Sequence, residues 1–274
     1  MSHNPPRFSQ STPAHVSLPR DSWPEIDLFS QVTAVRLPVG SGWYAGVKVG
    51  LDYAIAVTML PFAALVVALA AAVVKLTSRG PIFYTQTRLG LNGAPYRIIK
   101  LRTMHHNCEA KSGIQWANKN DSRVTVIGRF LRFAHIDELP QLWNVLRGEM
   151  SLVGPRPERP EIIKAKGLDQ LVPGYSHRLS VKPGVTGLAQ VQLPPDSDLM
   201  SVRRKVLYDL YYVQNHGIFL DFRLLVATVF KPILGPKALR RLFLLPSRRK
   251  ITAAIQQQLT RGSATEPSSG LLPA

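Results

Sequence analysis

The chain has 274 residues, 45% of them hydrophobic, so it is long enough to bury the core of one folded domain. Its 34 Lys and Arg residues against 17 Asp and Glu give a formal net charge of +17. This charge predicts an anionic partner, such as nucleic acid, an anionic membrane or a phosphorylated substrate. The single cysteine, Cys108, excludes an intramolecular disulfide and a cysteine-rich metal site, and it fits a reducing compartment.

Both ends of the chain have the composition of disordered segments. Residues 1–42 are rich in Pro, Ser and mixed charge without a sustained period, which predicts a disordered leader. This leader lacks the basic start, apolar run and small-residue cleavage site of a secretory signal, so we expect the protein not to be exported. Residues 251–274 are polar and contain Ser, Gly and Pro, and they predict a disordered tail.

An uncharged stretch of 22 residues from Tyr53 to Val74 is long enough to cross a bilayer as a helix. We therefore predict a membrane-inserted helix over residues 43–76. Pro61 lies inside the stretch and favours a bend, and basic residues flank both ends, so the positive-inside rule gives no orientation. Two topologies stay open: a re-entrant helix that enters and leaves by the same face, and a single-span anchor.

The next segment, residues 81–104, reads as two β-prone runs joined by a turn at Leu91-Asn-Gly93, which predicts a β-hairpin. Arg88 and Lys100 are among four cations spread through this unit. These cations could simply be solvated, or they could bind anionic headgroups or a diphosphate.

Three later segments predict amphipathic helices. Residues 198–215 have apolar side chains at helical spacing, and their tyrosines suit either a membrane interface or a protein core. The short apolar run 219–230 and the basic segment 236–250 predict further helices that lie on the membrane surface.

Two adjacent carboxylates, Asp137 and Glu138, begin the pattern IDELPQLWNVL, in which apolar residues recur at helical spacing. Asp137 fits the N-cap of that helix with Pro140 in its first turn, so on spacing alone the pair could serve only as a cap. Downstream, Arg156 stands between two prolines that stiffen its loop, and a rigidly held guanidinium suits phosphate. A second loop, residues 178–190, is punctuated by glycines, but neither loop has P-loop or dinucleotide-binding spacing.

Several of these motifs together resemble a known family. The stretches GPIFYTQTRLG, YRIIKLRTM, IDELPQLWNVLRGEMSLVGPRP, VKPGVTGLAQV and YDLYYV occur in the order seen in the bacterial sugar transferases, the monotopic polyprenyl-phosphate sugar-1-phosphate transferases. The likeness covers residues 48–229. With the element pattern, it implies an α+β, mainly helical fold: one membrane-inserted, re-entrant helix, a small β-hairpin region and several amphipathic interfacial helices around a compact cytosolic domain.

The resemblance also implies an activity. It predicts transfer of a sugar-1-phosphate from a UDP-sugar to undecaprenyl phosphate with release of UMP, the initiating step of exopolysaccharide, capsule or O-antigen assembly. The expected location is the bacterial inner membrane, with the catalytic domain on the cytoplasmic face. Mg²⁺ is the implied cofactor, and UDP-sugar, undecaprenyl phosphate and membrane lipids are the implied partners. Nucleic acid is not expected, and a homodimer stays open.

The family motifs assign roles to individual residues. By resemblance, Asp137 is the nucleophile that forms an aspartyl phosphosugar, and Glu138 holds Mg²⁺. The remaining expected substrate-binding residues are Arg88, Lys100, Arg156, Gln190 and Asp209, of which the three cations would offset phosphate charge.

The resulting domain prediction has five parts: a leader (1–42), a membrane-inserted helix (43–76), a catalytic domain (77–235), a basic amphipathic segment (236–250) and a tail (251–274). Two other functions compete with this interpretation. Asp196-Ser-Asp198 has the spacing of a metal-binding DxD motif, which would transfer a sugar without its phosphate and release UDP, although both acids also fit a helix cap. A non-enzymatic basic membrane adaptor would explain the charge but not the Asp-Glu pair.

Overall fold

A computed structural model of the chain describes residues 43–108 and 121–264, with side chains as far as residue 257. The predicted leader and residues 265–274 of the predicted tail lie outside the described residues. The described part is mainly helical and contains two small two-stranded sheets, which confirms the α+β, mainly helical prediction.

The described residues form ten helices and four strands, and the last five helices follow one another without a strand. The helices are α1 (Trp43–Thr77), α2 (Val126–Phe133), α3 (Gln141–Leu146), α4 (Pro160–Lys166), α5 (Leu168–Leu171), α6 (Leu188–Gln192), α7 (Leu199–Asn215), α8 (Ile218–Phe230), α9 (Pro236–Leu242) and α10 (Arg248–Ala264). The strands are β1 (Phe83–Leu89), β2 (Pro95–Leu101), β3 (Ser151–Val153) and β4 (Gly184–Thr186). Three 3-10 segments complete the described part, at Leu91–Gly93, Ile136–Glu138 and Tyr175–Ser180.

The long apolar helix predicted near the N-terminus is confirmed as α1, whose 35 residues pass Pro61 without interruption. At 1.5 Å per residue it is about 52 Å long. It is the one helix of the described residues that is long and apolar enough to cross a membrane, and only 11% of its most apolar window is buried. Most of its surface is therefore open to an apolar environment.

Helix α1 contacts the rest of the protein along much of its length, through two separate clusters. Ala56 belongs to the main core, whereas Val74 belongs to a second cluster with Leu101 and Leu131. Ala56 and Val74 are about 27 Å apart along the helix axis, close to the thickness of the hydrocarbon layer. A helix perpendicular to the bilayer would carry the domain surface between these contacts into the lipid. The contacts therefore favour an arrangement with both ends on the same face.

A buried carboxylate fixes the start of α1 to two other helices. Asp221 of α8 accepts hydrogen bonds from Tyr44 Oη at 2.7 Å and from Lys48 Nζ at 2.5 Å through Oδ2. Its Oδ1 accepts from Tyr212 Oη of α7 at 2.8 Å. Asp52, one turn after Lys48, accepts from Ser151 Oγ of β3 at 2.6 Å. These bonds hold the apolar helix against the domain that follows it.

The predicted β-hairpin is confirmed: β1 and β2 pair antiparallel from Phe83 opposite Leu101 to Leu89 opposite Pro95. A second, parallel pair joins β3 to β4, and it brings the Gly-Pro-Arg-Pro loop against the glycine-punctuated loop. A Cβ atom at Gly184 would lie 2.0 Å from the backbone nitrogen of Gly154. The two loops therefore approach so closely that only glycine fits.

The structure decides one open alternative and corrects one prediction. For the helix at residues 198–215, α7, it confirms the protein-core alternative: Tyr208, Tyr211 and Tyr212 are only 2 to 6% exposed. Its apolar residues cover too much of its circumference to leave a free membrane face. The predicted disordered tail is wrong over residues 251–264, because α10 continues to Ala264 and buries Ile251 and Ile255 in the main core. Burial of Ile251 and Ile255 stabilises this helix although the segment is polar in composition.

Cysteine labelling tests the same-face arrangement of α1. In a Cys108→Ser background, Val47→Cys and Thr77→Cys should both react with a membrane-impermeant maleimide in one vesicle orientation, inverted or right-side-out, and both stay unlabelled in the other. Both ends would then lie on the same side of the membrane, as their contacts with one domain favour. Labelling of the two positions from opposite sides would establish a single span instead, and labelling after detergent would verify that each thiol is reactive.

Candidate functional site

The paired carboxylates lie in a short 3-10 turn, Ile136–Glu138, that contacts β2 and α2. His135 precedes this turn in the left-handed conformation, with φ 57°. Helix α3 begins only at Gln141, and its N-cap is Pro140. The prediction that Asp137 caps this helix is therefore wrong, because the reversal at His135 places both acids in a separate turn. There, Asp137 is 7% and Glu138 9% exposed.

Glu138 is the centre of a three-residue ionic cluster. Its Oε1 accepts hydrogen bonds from Lys100 Nζ at 2.6 Å and from an Arg156 guanidinium nitrogen at 2.8 Å. Burial opposes the ionised form of Glu138, but the charges of Arg156 and Lys100 outweigh burial and hold its pKa well below the usual range. Three residues singled out in the sequence thus meet at one point, from the hairpin, the turn and the Gly-Pro-Arg-Pro loop.

Asp137 behaves differently from its neighbour. Its side chain makes no hydrogen bond or ion pair with any described residue. Burial raises the pKa of Asp137 to about 6, and the negative charge of Glu138 adds to the effect, whereas Lys100, Arg132 and Arg156 oppose it. Asp137 is thus not the N-cap of α3. Asp137 is instead a desolvated carboxylate with free lone pairs, beside three cations.

A small cavity lies next to the ionic cluster. It is lined by Arg88, Ile98, Lys100, Gln141, Arg156, Pro157 and Gly184. The Arg88 guanidinium donates to the carbonyl oxygen of Pro157 at 3.2 Å and to Gln86 Oε1 at 2.8 Å. The predicted phosphate-binding cations Arg88, Lys100 and Arg156 therefore line one cavity, which lies at the edge of the hairpin.

Two other residues predicted to bind substrate lie elsewhere. Gln190 is on α6, and its amide nitrogen donates to the carbonyl oxygen of Val185 at 3.0 Å. Asp209 of α7 forms an ion pair with Arg178 at 2.7 Å, and both side chains are 2% exposed. Arg178 also donates to the carbonyl oxygen of Arg156 at 2.8 Å. Asp209 thus reaches the cavity only through Arg178, which holds the backbone of the Arg156 loop.

The sequence interpretation missed two charged residues of the site. Glu158, just after the Gly-Pro-Arg-Pro motif, forms an ion pair with Lys205 and lies 4.0 Å from guanidinium nitrogens of both Arg88 and Arg178. Burial opposes its ionisation, but Lys205, Arg178 and Arg88 lower its pKa to about 2. In the sequence, the position of Glu158 directly after the Gly-Pro-Arg-Pro motif was the signal that could have identified it.

The second missed residue is Arg132 of α2, five positions before Asp137. Its Nε donates to Thr103 Oγ1 at 2.8 Å. Burial lowers the pKa of Arg132, and the charge of Asp137 partly offsets that effect. Arg132 therefore places a cation on the side of Asp137 that faces α2. Periodicity alone gave no reason to separate it from other basic residues on that helix.

The DxD-like pair has other contacts. Asp198 is the N-cap of α7 and accepts a hydrogen bond from the Ser201 backbone nitrogen at 2.8 Å. Asp196 forms an ion pair with Lys205 at 2.6 Å. The capping interpretation is confirmed for Asp198, and neither carboxylate is arranged with the other to hold a metal.

The carboxylate turn fits Mg²⁺ only in a restricted way. The described residues contain no group of three or more His, Cys, Asp or Glu side chains that could hold a metal. Oε1 of Glu138 already accepts hydrogen bonds from two cations, so its other carboxylate oxygen is the one that can ligate a metal ion. Mg²⁺ is commonly bound by one or two carboxylates together with substrate phosphates and water. Glu138 therefore suits an ion that is shared with a diphosphate.

The chain was compared with known proteins. Residues 43–235 match the family model described as bacterial sugar transferase. The chain is 40% identical over 190 residues to UDP-N-acetylgalactosamine-undecaprenyl-phosphate N-acetylgalactosaminephosphotransferase of Aeromonas hydrophila, covering 69% of this chain and 43% of that protein. It is 42% identical over 184 residues to UDP-glucose:undecaprenyl-phosphate glucose-1-phosphate transferase of Caulobacter vibrioides, covering 65% of this chain and 67% of the relative.

A third relative is the exopolysaccharide production protein PSS of Rhizobium leguminosarum bv. phaseoli, 42% identical over 163 residues, which are 58% of this chain and 81% of that protein. The chain thus spans less than half the length of the Aeromonas relative and most of the Rhizobium one. The matched segment contains α1, the hairpin, the carboxylate turn and both loops at the site. The chain belongs to the bacterial sugar transferase family.

Proposed function

We propose that the protein transfers a sugar-1-phosphate from a UDP-sugar to undecaprenyl phosphate and releases UMP. The observation that carries this proposal is the unpaired, buried carboxylate of Asp137 beside the Glu138, Lys100 and Arg156 cluster. A carboxylate free of hydrogen bonds keeps its lone pairs available for a nucleophilic attack, and the adjacent cations favour an anionic phosphate there. The names of the relatives supply the substrate classes.

The reaction proceeds in two displacements at one phosphorus. An Asp137 carboxylate oxygen attacks the sugar-linked phosphorus, the bond to the bridging oxygen breaks, and UMP leaves with that oxygen and the bonding electron pair. Asp137 then carries the phosphosugar. A phosphate oxygen of undecaprenyl phosphate attacks the same phosphorus, and the Asp137 carboxylate leaves. Each displacement brings one anionic substrate to the site at a time, which avoids direct reaction of two anions.

The cations perform the electrostatic part of this chemistry. Arg156 and Lys100 are fixed by Glu138, and Arg88 by the Pro157 carbonyl and Gln86, so they meet the diphosphate without further ordering. Arg132 lies on the other side of Asp137 and offsets charge on the phosphoryl group that Asp137 binds. Mg²⁺, if held by Glu138 and the diphosphate, would supply further neutralisation of the departing phosphate.

An apolar cavity beside the carboxylate turn suits the polyprenyl chain. It has a volume of about 410 Å³ and is lined by Leu60, Ala63, Ala64, Val67, Phe83, Ile99, Leu139, Pro140 and Trp143. The lining joins α1 to the two residues that follow Glu138. A lipid that enters along α1 would thus bring its phosphate towards Asp137. The isoprenoid chain would be buried against an apolar wall, which favours binding.

The location proposed for the enzyme is the cytoplasmic face of the inner membrane. The exposed apolar surface of α1 supports insertion into lipid, and the net charge of +17 supports attraction to anionic headgroups. The name of the Rhizobium relative supports a role in exopolysaccharide production. Asp196 and Asp198 are occupied by Lys205 and the α7 cap, which disfavours the DxD alternative.

Replacement of the nucleophile tests the reaction. In Asp137→Asn, transfer should fall by about 10⁴-fold or more, because an amide is not a comparable nucleophile. The purified protein is incubated with Mg²⁺, undecaprenyl phosphate and a panel of UDP-sugars, and the released nucleotide and lipid product are identified. We expect UMP rather than UDP. Without acceptor, label from the sugar should remain covalently bound to the denatured wild type and not to the variant.

Asp198→Asn is the matched control, since Asn caps a helix as well as Asp does. This variant should keep full activity, whereas a DxD mechanism would lose it and would release UDP. Full activity in Asp137→Asn would refute the nucleophile assignment, and absence of any transfer by the wild type would refute the enzyme.

The pKa of about 6 for Asp137 predicts a pH dependence. Only the ionised carboxylate attacks phosphorus, so UMP release in the absence of acceptor should rise about tenfold per pH unit below 6 and level off above 7. The UDP-sugar diphosphate does not titrate in this range, and Glu138 stays ionised because its pKa is held low. A profile that stays flat from pH 5 to 8 would contradict the buried, unpaired state of Asp137.

The raised pKa of Asp137 also makes the stability of the fold depend on pH. The folded state favours protonated Asp137, so its ionisation destabilises the fold as pH rises through 4 to 6. Between pH 5 and 8, the unfolding free energy of the wild type should therefore fall by about 1 kcal/mol relative to Asp137→Asn. Chemical denaturation in detergent at both pH values checks this sign.

Filling the apolar cavity tests the acceptor site. Ala64→Trp places an indole in the cavity, and loss of burial for two methylenes of the lipid should weaken acceptor binding about 15-fold. Release of UMP without acceptor should stay at the wild-type rate. Ala72→Trp, on an exposed position of α1 outside the cavity, is the control. An unchanged acceptor KM in Ala64→Trp would place the lipid elsewhere.

A further inference from the structure

Gln141, the first residue of α3, is a buried amide without a role in the fold. It is 2% exposed, and its Nε2 has no hydrogen-bond partner among the described residues. A buried donor without a partner destabilises the folded state and is uncommon in folded proteins. The side chain lines the small cavity beside Lys100 and Arg156. An unsatisfied donor at a cavity wall indicates a group that is satisfied by a ligand.

The cavity has a second donor of the same kind. Arg88 Nε is also buried without a hydrogen-bond partner, although the other guanidinium nitrogens of Arg88 are bonded. The lining includes three cations and no acid, so its wall presents donors that suit an anion, although Glu138 and Glu158 pair with the same cations from behind. The cavity is small. The volume that the centre of a water-sized sphere can occupy is about 10 Å³, which is room for roughly one water molecule or one phosphoryl oxygen.

Asn144, on the same helix, is a buried amide whose hydrogen bonds do have a structural role. Asn144 is fully buried, its Nδ2 donates to the carbonyl oxygen of Arg97 at 2.8 Å and to Glu149 Oε2 at 2.7 Å, and its Oδ1 accepts from the Ile99 nitrogen at 3.2 Å. Asn144 joins α3 to β2. Gln141 lies one turn away with no such bonds, so packing of α3 on the hairpin does not explain its polar group.

We propose that Gln141 is a substrate-contacting residue, whose amide donates a hydrogen bond to one non-bridging phosphoryl oxygen of the nucleoside diphosphate group, together with Nε of Arg88. This inference rests on the proposed function for the identity of the ligand. A neutral donor adds a directed bond without adding charge to a site that already holds three cations. It fixes the orientation of the diphosphate, and with it the line of attack from Asp137.

The test compares Gln141→Leu with Asn144→Leu. The probe is UDP, which lacks the sugar, and its Kd is measured by calorimetry on the full-length protein in detergent with Mg²⁺. In Gln141→Leu, we expect the Kd for UDP and the KM for the UDP-sugar to rise about tenfold, kcat to change less, and the unfolding temperature to be unchanged or higher. In Asn144→Leu, the unfolding temperature should fall by several degrees.

Gln141→Glu adds a charge test, because a carboxylate in the cavity would repel a diphosphate oxygen and weaken UDP binding more than leucine does. Equal Kd and KM values in Gln141→Leu and wild type would overturn the inference. So would a fall in unfolding temperature like that of Asn144→Leu with an unchanged Kd. If the wild type binds UDP but forms no lipid product, a Gln141-dependent Kd still supports the subsite, so the two proposals fail separately.

Discussion

The site depends on the bonds that Lys100 and Arg156 donate to one oxygen of Glu138. They connect strand β2, the carboxylate turn and the Gly-Pro-Arg-Pro loop, which are far apart in the sequence. For the largely buried Lys100–Glu138 pair, removal of one partner typically costs about 3 to 5 kcal/mol, because the other charge is left uncompensated. Glu138 is thus both a member of the site and the residue that brings its cations together.

A second set of ion pairs, more deeply buried, supports the first. Asp209 holds Arg178, and Arg178 holds the backbone of Arg156, while the close approach of Gly154 to Gly184 fixes the same loop from the other side. This explains why a motif residue can be far from the cavity and still act on it. Asp221 has an analogous role for the membrane helix, since it ties Tyr44 and Lys48 to the domain.

Local patterns and motifs predicted much of this arrangement. The hairpin and the apolar helix followed from turn residues and hydrophobicity, and the resemblance to the family singled out Arg88, Lys100 and Arg156, which line one cavity. Single-residue geometry did not follow: the left-handed conformation of His135 moves Asp137 away from the cap position. Burial was the other gap, because composition does not tell whether a tyrosine-rich helix such as α7 faces lipid or core.

The segment from Asp137 to Trp143 lies between the apolar cavity and the cationic cavity. Leu139, Pro140 and Trp143 line the apolar cavity, whereas Gln141, between them in sequence, lines the cationic one. This alternation is possible because the chain changes from a 3-10 turn to a helix within a few residues, so successive side chains point to different sides. Asp137 lies at the start of this segment. In the proposed reaction, the diphosphate and the lipid would therefore each have a separate binding surface beside Asp137.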